Sequence, residues 1–339
     1  MSKELQANNN AWWCVTHPSV RDLVWVMASP SLLASRPDVI SDAYCQSMVN
    51  QHQQWWLQLE RDPAPLTQWL DRHRHKKSRL GVYFEHLIEF WLSQCIAHGY
   101  MASHVRLYRE KQTLGEMDFL FMTPDQVLHH WETAVKFYLF YQHANGAIGW
   151  YGPNANDRLD IKLARLKNHQ LCMLRTVQGK AFLETLQSNL RFDAVQSYAF
   201  VKGYLFYPLN QWGRHQPWTS PEIAPDHLRG WWCHTADLEF WVNSMANSKQ
   251  WRWLIVSRTH WLTPQRVDAA QKNNLLQFHE LQLRLLDHFR HSRQAVLVTQ
   301  MTQYDDVAWR ECSRGFVVAP VWPEKPPVAK ADAVDKLVL

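Results

Sequence analysis

The residues best suited to do chemistry together stand in two short stretches, Leu114-Gly115-Glu116-Met117-Asp118-Phe119-Leu120 and His130-Trp131-Glu132-Thr133-Ala134-Val135-Lys136. Both read as strands, and in a strand residues two apart share a face. Glu132, Ala134 and Lys136 therefore point one way, and Glu116 shares a face with Asp118. Carboxylates that converge beside an amine can hold a hard divalent cation. Mg²⁺ prefers oxygen ligands and keeps several waters, so one or two carboxylates suffice. Such an arrangement can activate a water and offset the charge that develops on a phosphodiester under attack.

These side chains need elements to place them. Leu80, Phe84, Leu87, Trp91 and Cys95 recur at three- and four-residue steps, which predicts a helix from about Arg79 to His98. Gly99 follows where a helix end favours a left-handed residue. Glu85 lies off the centre of that stripe, with Ile88 and Leu92 along its own face. It is expected to be more buried than a surface carboxylate and to face Asp118. Gly115–Met122 and Val127–Phe140 read as a hairpin around Thr123-Pro124-Asp125-Gln126. Directly paired residue numbers in a hairpin sum to a constant, and Asp118 and Glu132 are both even-numbered. A two-residue Pro124-Asp125 turn would put Glu132 on the wrong face. An odd-length loop such as Pro124-Asp125-Gln126, or a bulge near Trp131, is therefore expected.

Around this core the pattern predicts helices over Pro18–Ala28, Pro37–Glu60 and Leu66–Lys77. A further helix runs from a cap at Asn156 or Asp157 to about Gly179, bearing Gln170, and a strand covers Ser197–Phe206. The resulting order is α-β-β-α-β. Beyond about residue 210 the chain is Trp-rich, with strands expected at Trp251–Val256, Gln294–Val298 and Gly315–Ala319 and a helix over Asn274–His291. The tail from Pro323 reads as poorly ordered. His129-His130 point to opposite strand faces and read as structural, and Trp231-Trp232-Cys233-His234 reads as core.

Gly-Glu-Met-Asp-Phe-Leu ahead of an apolar strand bearing a lysine resembles the core of the PD-(D/E)xK nuclease superfamily. The resemblance implies an α/β, restriction-endonuclease-like αβββαβ core over residues 79–208. A helical extension would precede it (1–78), with a Trp-rich α+β extension after it (209–322) and a tail (323–339). More closely, the chain is similar to a bacterial family known only as domain of unknown function number 1853. The residues carrying that likeness are Glu132 through Leu139, Gly152-Pro153-Asn154 with Asp160, His169-Gln170-Leu171, and Lys202 through Pro208. By the superfamily resemblance, Asp118 and Glu132 would ligate Mg²⁺ or Mn²⁺, Lys136 would orient the water, and Glu85 would complete the acidic cluster. Glu116 and Gln170 would be accessory, and the substrate a nucleic acid, DNA or RNA. The chain departs from the motif at Ala134, where the usual acid stands two residues before the lysine. Glu132 is four residues before it, about 14 Å along the strand instead of about 7 Å. That departure favours an alternative, a catalytically degenerate nuclease fold serving as a nucleic-acid- or protein-binding module.

Composition is compatible with either reading. The 339 residues carry a formal charge of +5 and include nineteen tryptophans and six scattered cysteines with no CxxC pair. A structural zinc site of the usual kind is thus not expected, and reduced thiols in the cytoplasm are. No run of about 18 apolar residues predicts a membrane span. The densest basic run, Arg72-His73-Arg74-His75-Lys76-Lys77 followed by Arg79, would suit phosphate contacts. If it binds nucleic acid, replacing three of its Lys and Arg residues by Ala will flatten the slope of log K against log salt by roughly two to three. An unchanged slope would mark the run as an ordinary solvated surface.

Overall fold

The computed structural model describes residues 11–73, 79–97, 99–187, 192–212, 220–245 and 250–323. Residues 74–78 of the basic run, and the tail from 324, lie outside the described residues. Helix α1 (Pro18–Ala28) opens with proline in its first turn and is buried from Val20 to Ala28. Its cap, Ser29, offers a carbonyl to the buried Lys202 ammonium at 2.5 Å, and Asp42 lies 3.6 Å from the same nitrogen. A cation is well placed at the negative end of a helix dipole.

The helix expected over Pro37–Glu60 is instead two, α2 (Asp42–Gln51) and α3 (Gln53–Arg61), entered at Ser41, whose hydroxyl accepts the Tyr44 amide. Residues 32–40 run extended because they cover part of the edge of β5 (Ala194–Pro208). The Leu32 amide bonds the Val201 carbonyl, the Ile40 amide bonds that of Ala199, and the Ala199 amide bonds that of Asp38. Main-chain groups at a buried strand edge must find partners, and that need overrides local helix propensity here. Helix α4 (Ala64–Arg72) is followed by α5 (Leu80–Trp91), which widens into a π turn over Leu92–Ile96. Gly99 takes the expected left-handed conformation at φ 74°.

The strand β1 (Met101–Arg109) is not legible as a strand, because this mostly half-exposed or exposed element carries only Val105 and Leu107 as an alternating apolar pair. It pairs antiparallel with β2 (Gln112–Met122), and β2 with β3 (Val127–Gln142). The short β4 (Ile148–Tyr151) folds back on β3. The expected single helix is α6 (Leu159–Asn168), a 3-10 turn over Gln170–Arg175, and α7 (Val177–Gln187). This crossover returns the chain to β5, which pairs parallel with β3. Order along the chain is thus α5-β1-β2-β3-β4, crossover helices, β5.

The last third extends the same sheet. β6 (Leu228–His234) pairs parallel with β5, then α8 (Thr235–Ser244), β7 (Arg252–Ile255), β8 (Arg266–Asp268) and α9 (Phe278–His291) precede β9 (Val296–Gln303) and β10 (Ala308–Val318). The path runs β1-β2-β3-β5-β6-β10-β9-β7, with β4 and β8 beside β3 and β10. Trp231, Trp232 and Cys233 are buried in it, as core. Helices α1 to α5 cover one face, packing Trp25, Phe84 and Trp91 on Trp131, Phe137 and Phe206. The crossover covers the other, placing Leu159, Leu166 and Leu171 against Tyr138 and Phe140. Among the described residues no helix is long and apolar enough to cross a membrane.

One glycine fixes the sheet beside the site. Gly203 pairs with Lys136 at φ 139°, and a Cβ there would lie 1.8 Å from the Lys136 carbonyl oxygen. Strain and a main-chain clash act together, so Gly203→Ala is expected to cost about 3 kcal/mol or more in urea unfolding. A loss below about 1 kcal/mol would mean that β5 relaxes there freely.

Candidate functional site

The hairpin has the odd loop that the residue numbering requires. Thr123 and Val127 close it, the Gln126 amide bonds the Thr123 carbonyl, and Gln126 sits at φ 61°. Pro124-Asp125-Gln126 is therefore a three-residue loop ending in a left-handed residue. The pairing Phe119↔Trp131 and Leu120↔His130 then sets Asp118 opposite Glu132.

At Asp118 the strands part. The last paired residues are Phe119 and Trp131, and the amide of Thr133 would be orphaned. The Asp118 carboxylate takes it instead: Oδ2 accepts the Thr133 amide at 2.7 Å and its hydroxyl at 3.2 Å. A carboxylate here does the work of a main-chain carbonyl.

Facing is more complicated than register. Met117 packs in the cluster of Leu120, Met122 and Met173, while Phe119 and Phe121 pack under α5. Met117 and Phe119 would share a face in a regular strand, so the alternation slips at Asp118. The neighbouring strand slips with it at His104, which has φ 54°: Val105 packs with Met117, whereas Ser103 donates to Glu89 of α5 at 2.6 Å. Asp118 thereby leans toward Thr133 and α5. Glu132 keeps the opposite face, so the simple expectation of one shared face fails for this reason.

Glu132 is fully buried. Its Oε1 lies 2.8 Å from His130 Nε2, and its Oε2 accepts Gln170 Nε2 at 2.5 Å. His130 Nδ1 in turn lies 3.0 Å from Ser197 Oγ. Burial pushes Glu132 up to about 8 and His130 down to about 4. Both shifts favour the neutral forms of this buried pair. His130, which the sequence suggested was structural, is thus a direct partner of the site acid, with Ser197 behind it. The available signal was the two-residue step from His130 to Glu132, which puts them on one face.

Glu85 is half-buried, and burial, then the nearby Asp118, raises it to about 7. It does face the Asp118 hairpin. Asp118 itself is raised to about 6 by burial and then by Glu132. Burial lowers Lys136, aided by Lys162, while Asp157, Asp118 and Glu85 pull it back up. Glu116 is committed elsewhere: against the burial that would raise it, Arg106 at 2.6 Å and His104 at 3.1 Å hold it below the ordinary range. The structure thus brings Glu85, Asp118, Glu132, Lys136 and Gln170 to one fork, with Glu85 and Asp118 on one side and Glu132 with Gln170 on the other.

Oxygen donors of this kind suit a hard cation held by one or two carboxylates and waters. Glu85, and Oδ1 of Asp118, take no hydrogen bond among the described residues, whereas both Glu132 oxygens are engaged. Among the described residues no three His, Cys, Asp or Glu side chains group closely enough to hold a metal by themselves. The donors fit a water-rich cation such as Mg²⁺, not a metal caged by protein alone.

An α-helix, an antiparallel meander, crossover helices and a parallel strand, with acids at the meander's fork, define a mixed α/β protein with a buried acidic centre. The chain belongs to the family described as a domain of unknown function (DUF1853), whose model matches residues 21–318. No curated protein and no solved structure matches it.

The raised carboxyls carry a pH signature. A carboxyl whose folded pKa lies above its ordinary value stabilises the fold fully below about pH 4, and that stability is lost as pH rises through the folded value. With values near 6, 7 and 8, stability is expected to fall from about pH 4 to about pH 8, the lowered His130 opposing part of that fall below about pH 6.5. Glu132→Gln mimics the neutral acid, so it should flatten that fall and raise the melting temperature at pH 8. A variant that melts lower than the wild type at pH 8 would contradict the neutral pair.

Proposed function

We propose that the chain is a metal-dependent, nuclease-like protein of the PD-(D/E)xK type, acting on phosphodiester bonds of DNA or RNA. The observation that carries this reading is the pairing of Glu85 from α5 with Asp118 from β2, close enough that Asp118 helps to raise Glu85, with Lys136 of β3 near both. The order α5-β1-β2-β3-β4, crossover helices, β5 supports this reading, since the resemblance implies a helix, three strands, a helix and a strand in that sequence. Three carboxyls held above their ordinary range with one neighbouring amine mark a site that gains from added positive charge.

In this reading Asp118 Oδ1 and Glu85 hold the cation, Mg²⁺ or Mn²⁺, which would lower the pKa of a bound water and offset charge on the scissile phosphate. Glu132 is held by His130 and Gln170. Lys136, with its pKa lowered by burial and no hydrogen bond among the described residues, orients the attacking water. The same observations define the alternative. Ala134 in place of the usual acid, and a Glu132 with both oxygens engaged, favour a non-catalytic nucleic-acid- or protein-binding module.

An assay with Mg²⁺ or Mn²⁺ on single- and double-stranded DNA and RNA decides between them. Cleavage that Asp118→Asn and Lys136→Ala each reduce by 100-fold or more supports the enzyme. Wild-type protein that binds nucleic acid without cleaving it supports the binding module.

A further inference from the structure

A second site lies between α9 and the ends of β7 and β9. It is a cleft of about 390 Å³ whose lining includes Arg258, Arg284 and His288 and contains no acidic residue. That volume falls in the ordinary range of small-molecule pockets, roughly 300 to 1,000 Å³. Its walls are tied down: Asn154 Oδ1 accepts the Ala295 amide at 3.2 Å, and His288 Nε2 donates to the Gln294 carbonyl at 2.8 Å. The Arg258 guanidinium lies 5.6 Å from the centre of the Trp261 ring. A cation held over a ring in this way keeps its N–H groups available to a planar, bidentate partner. Neither arginine is paired with a carboxylate among the described residues. Val256, Leu285 and Leu297 supply apolar surface in the same cleft.

Two guanidinium groups without a counter-ion call for an anion, and their fork geometry fits a phosphate. The apolar surface beside them suits a flat organic group attached to that phosphate. We infer that this cleft binds a nucleotide unit, with Arg258 and Arg284 on its phosphate. The site shares no residue with the acid fork and does not rest on the nuclease reading.

Calorimetric titration of the full chain with adenosine 5′-monophosphate, adenosine and a short single-stranded oligonucleotide tests this. At least one phosphorylated ligand should bind tenfold or more tightly than adenosine. Arg258→Ala with Arg284→Ala should remove that advantage, while Arg284→Lys keeps part of it. Both side chains are exposed, so the melting temperature should not change and a folding defect would be visible. Arginine-dependent binding of the mononucleotide assigns the cleft to free nucleotides, and of the oligonucleotide alone to chain phosphates. Asp118→Asn should retain the binding, which separates this inference from the fate of the acid site. Affinity unchanged in the double variant, or no phosphate-dependent binding by the wild type, overturns it.

Discussion

The site depends on the point where β2 leaves β3. A buried main-chain amide without a partner is costly, and at Thr133 the strand that should satisfy it has turned away. Asp118 supplies the acceptor from its side chain, 2.7 Å away. That substitution brings a carboxyl into a buried place, beside two others. Glu85 arrives on α5 and Glu132 across the pair, and each is held above its ordinary range chiefly by burial. The fork therefore has more acid than it can ionise alone. Protons relieve that imbalance in one state, and a divalent cation would relieve it in another.

The position of α5 decides where Glu85 falls, and α5 is held from both ends of the chain. Tyr83 donates to Asp22 of α1 at 2.9 Å, and the other Asp22 oxygen accepts the Thr263 hydroxyl at 2.5 Å. Next to Thr263, the buried Arg314 of β10 bonds Glu311 and the carbonyls of Trp261 and Thr263, with its guanidinium 4.4 Å from the centre of the Tyr204 ring. Burial raises Asp22 despite its two donors, so ionising it in that place is costly. Removing one partner of such a network leaves a buried polar group exposed to no solvent, a larger cost than the pair's net worth. The N-terminal helices and the last third are in this way the frame of the acid fork, not appendages to it.

What could be read from the sequence follows the strength of each local signal. The apolar period of residues 80–95 placed α5 and singled out Glu85. Residue parity required an odd loop or a bulge near Trp131, of which the fold uses the loop ending at Gln126. Local pattern could not show Met101–Arg109 as a strand, because its residues are mostly half-exposed or exposed and mixed in kind. Nor could it show that residues 37–41 leave helix to cover β5, since the demand comes from a strand 160 residues away. The slip of facing at His104 and Asp118 is a two-strand event with constant register, and parity arguments are blind to it. For that reason Asp118 and Glu132 were expected on one face, when the fold sets them on either side of a fork. His130 and Ser197 were missed as partners of Glu132 because Ser197 reaches them only through the β3–β5 pairing.

In the proposed function Asp118 and Glu85 share a cation at this fork. Anomalous diffraction at the manganese edge, from crystals soaked in Mn²⁺ near pH 7.5, addresses it directly. The account predicts a peak about 2.1 Å from Asp118 Oδ1 and a Glu85 oxygen, with waters completing the shell and Glu132 still held by His130 and Gln170. A fork without a peak in well-ordered, Mn²⁺-soaked crystals, or an ion bound only elsewhere, would contradict it.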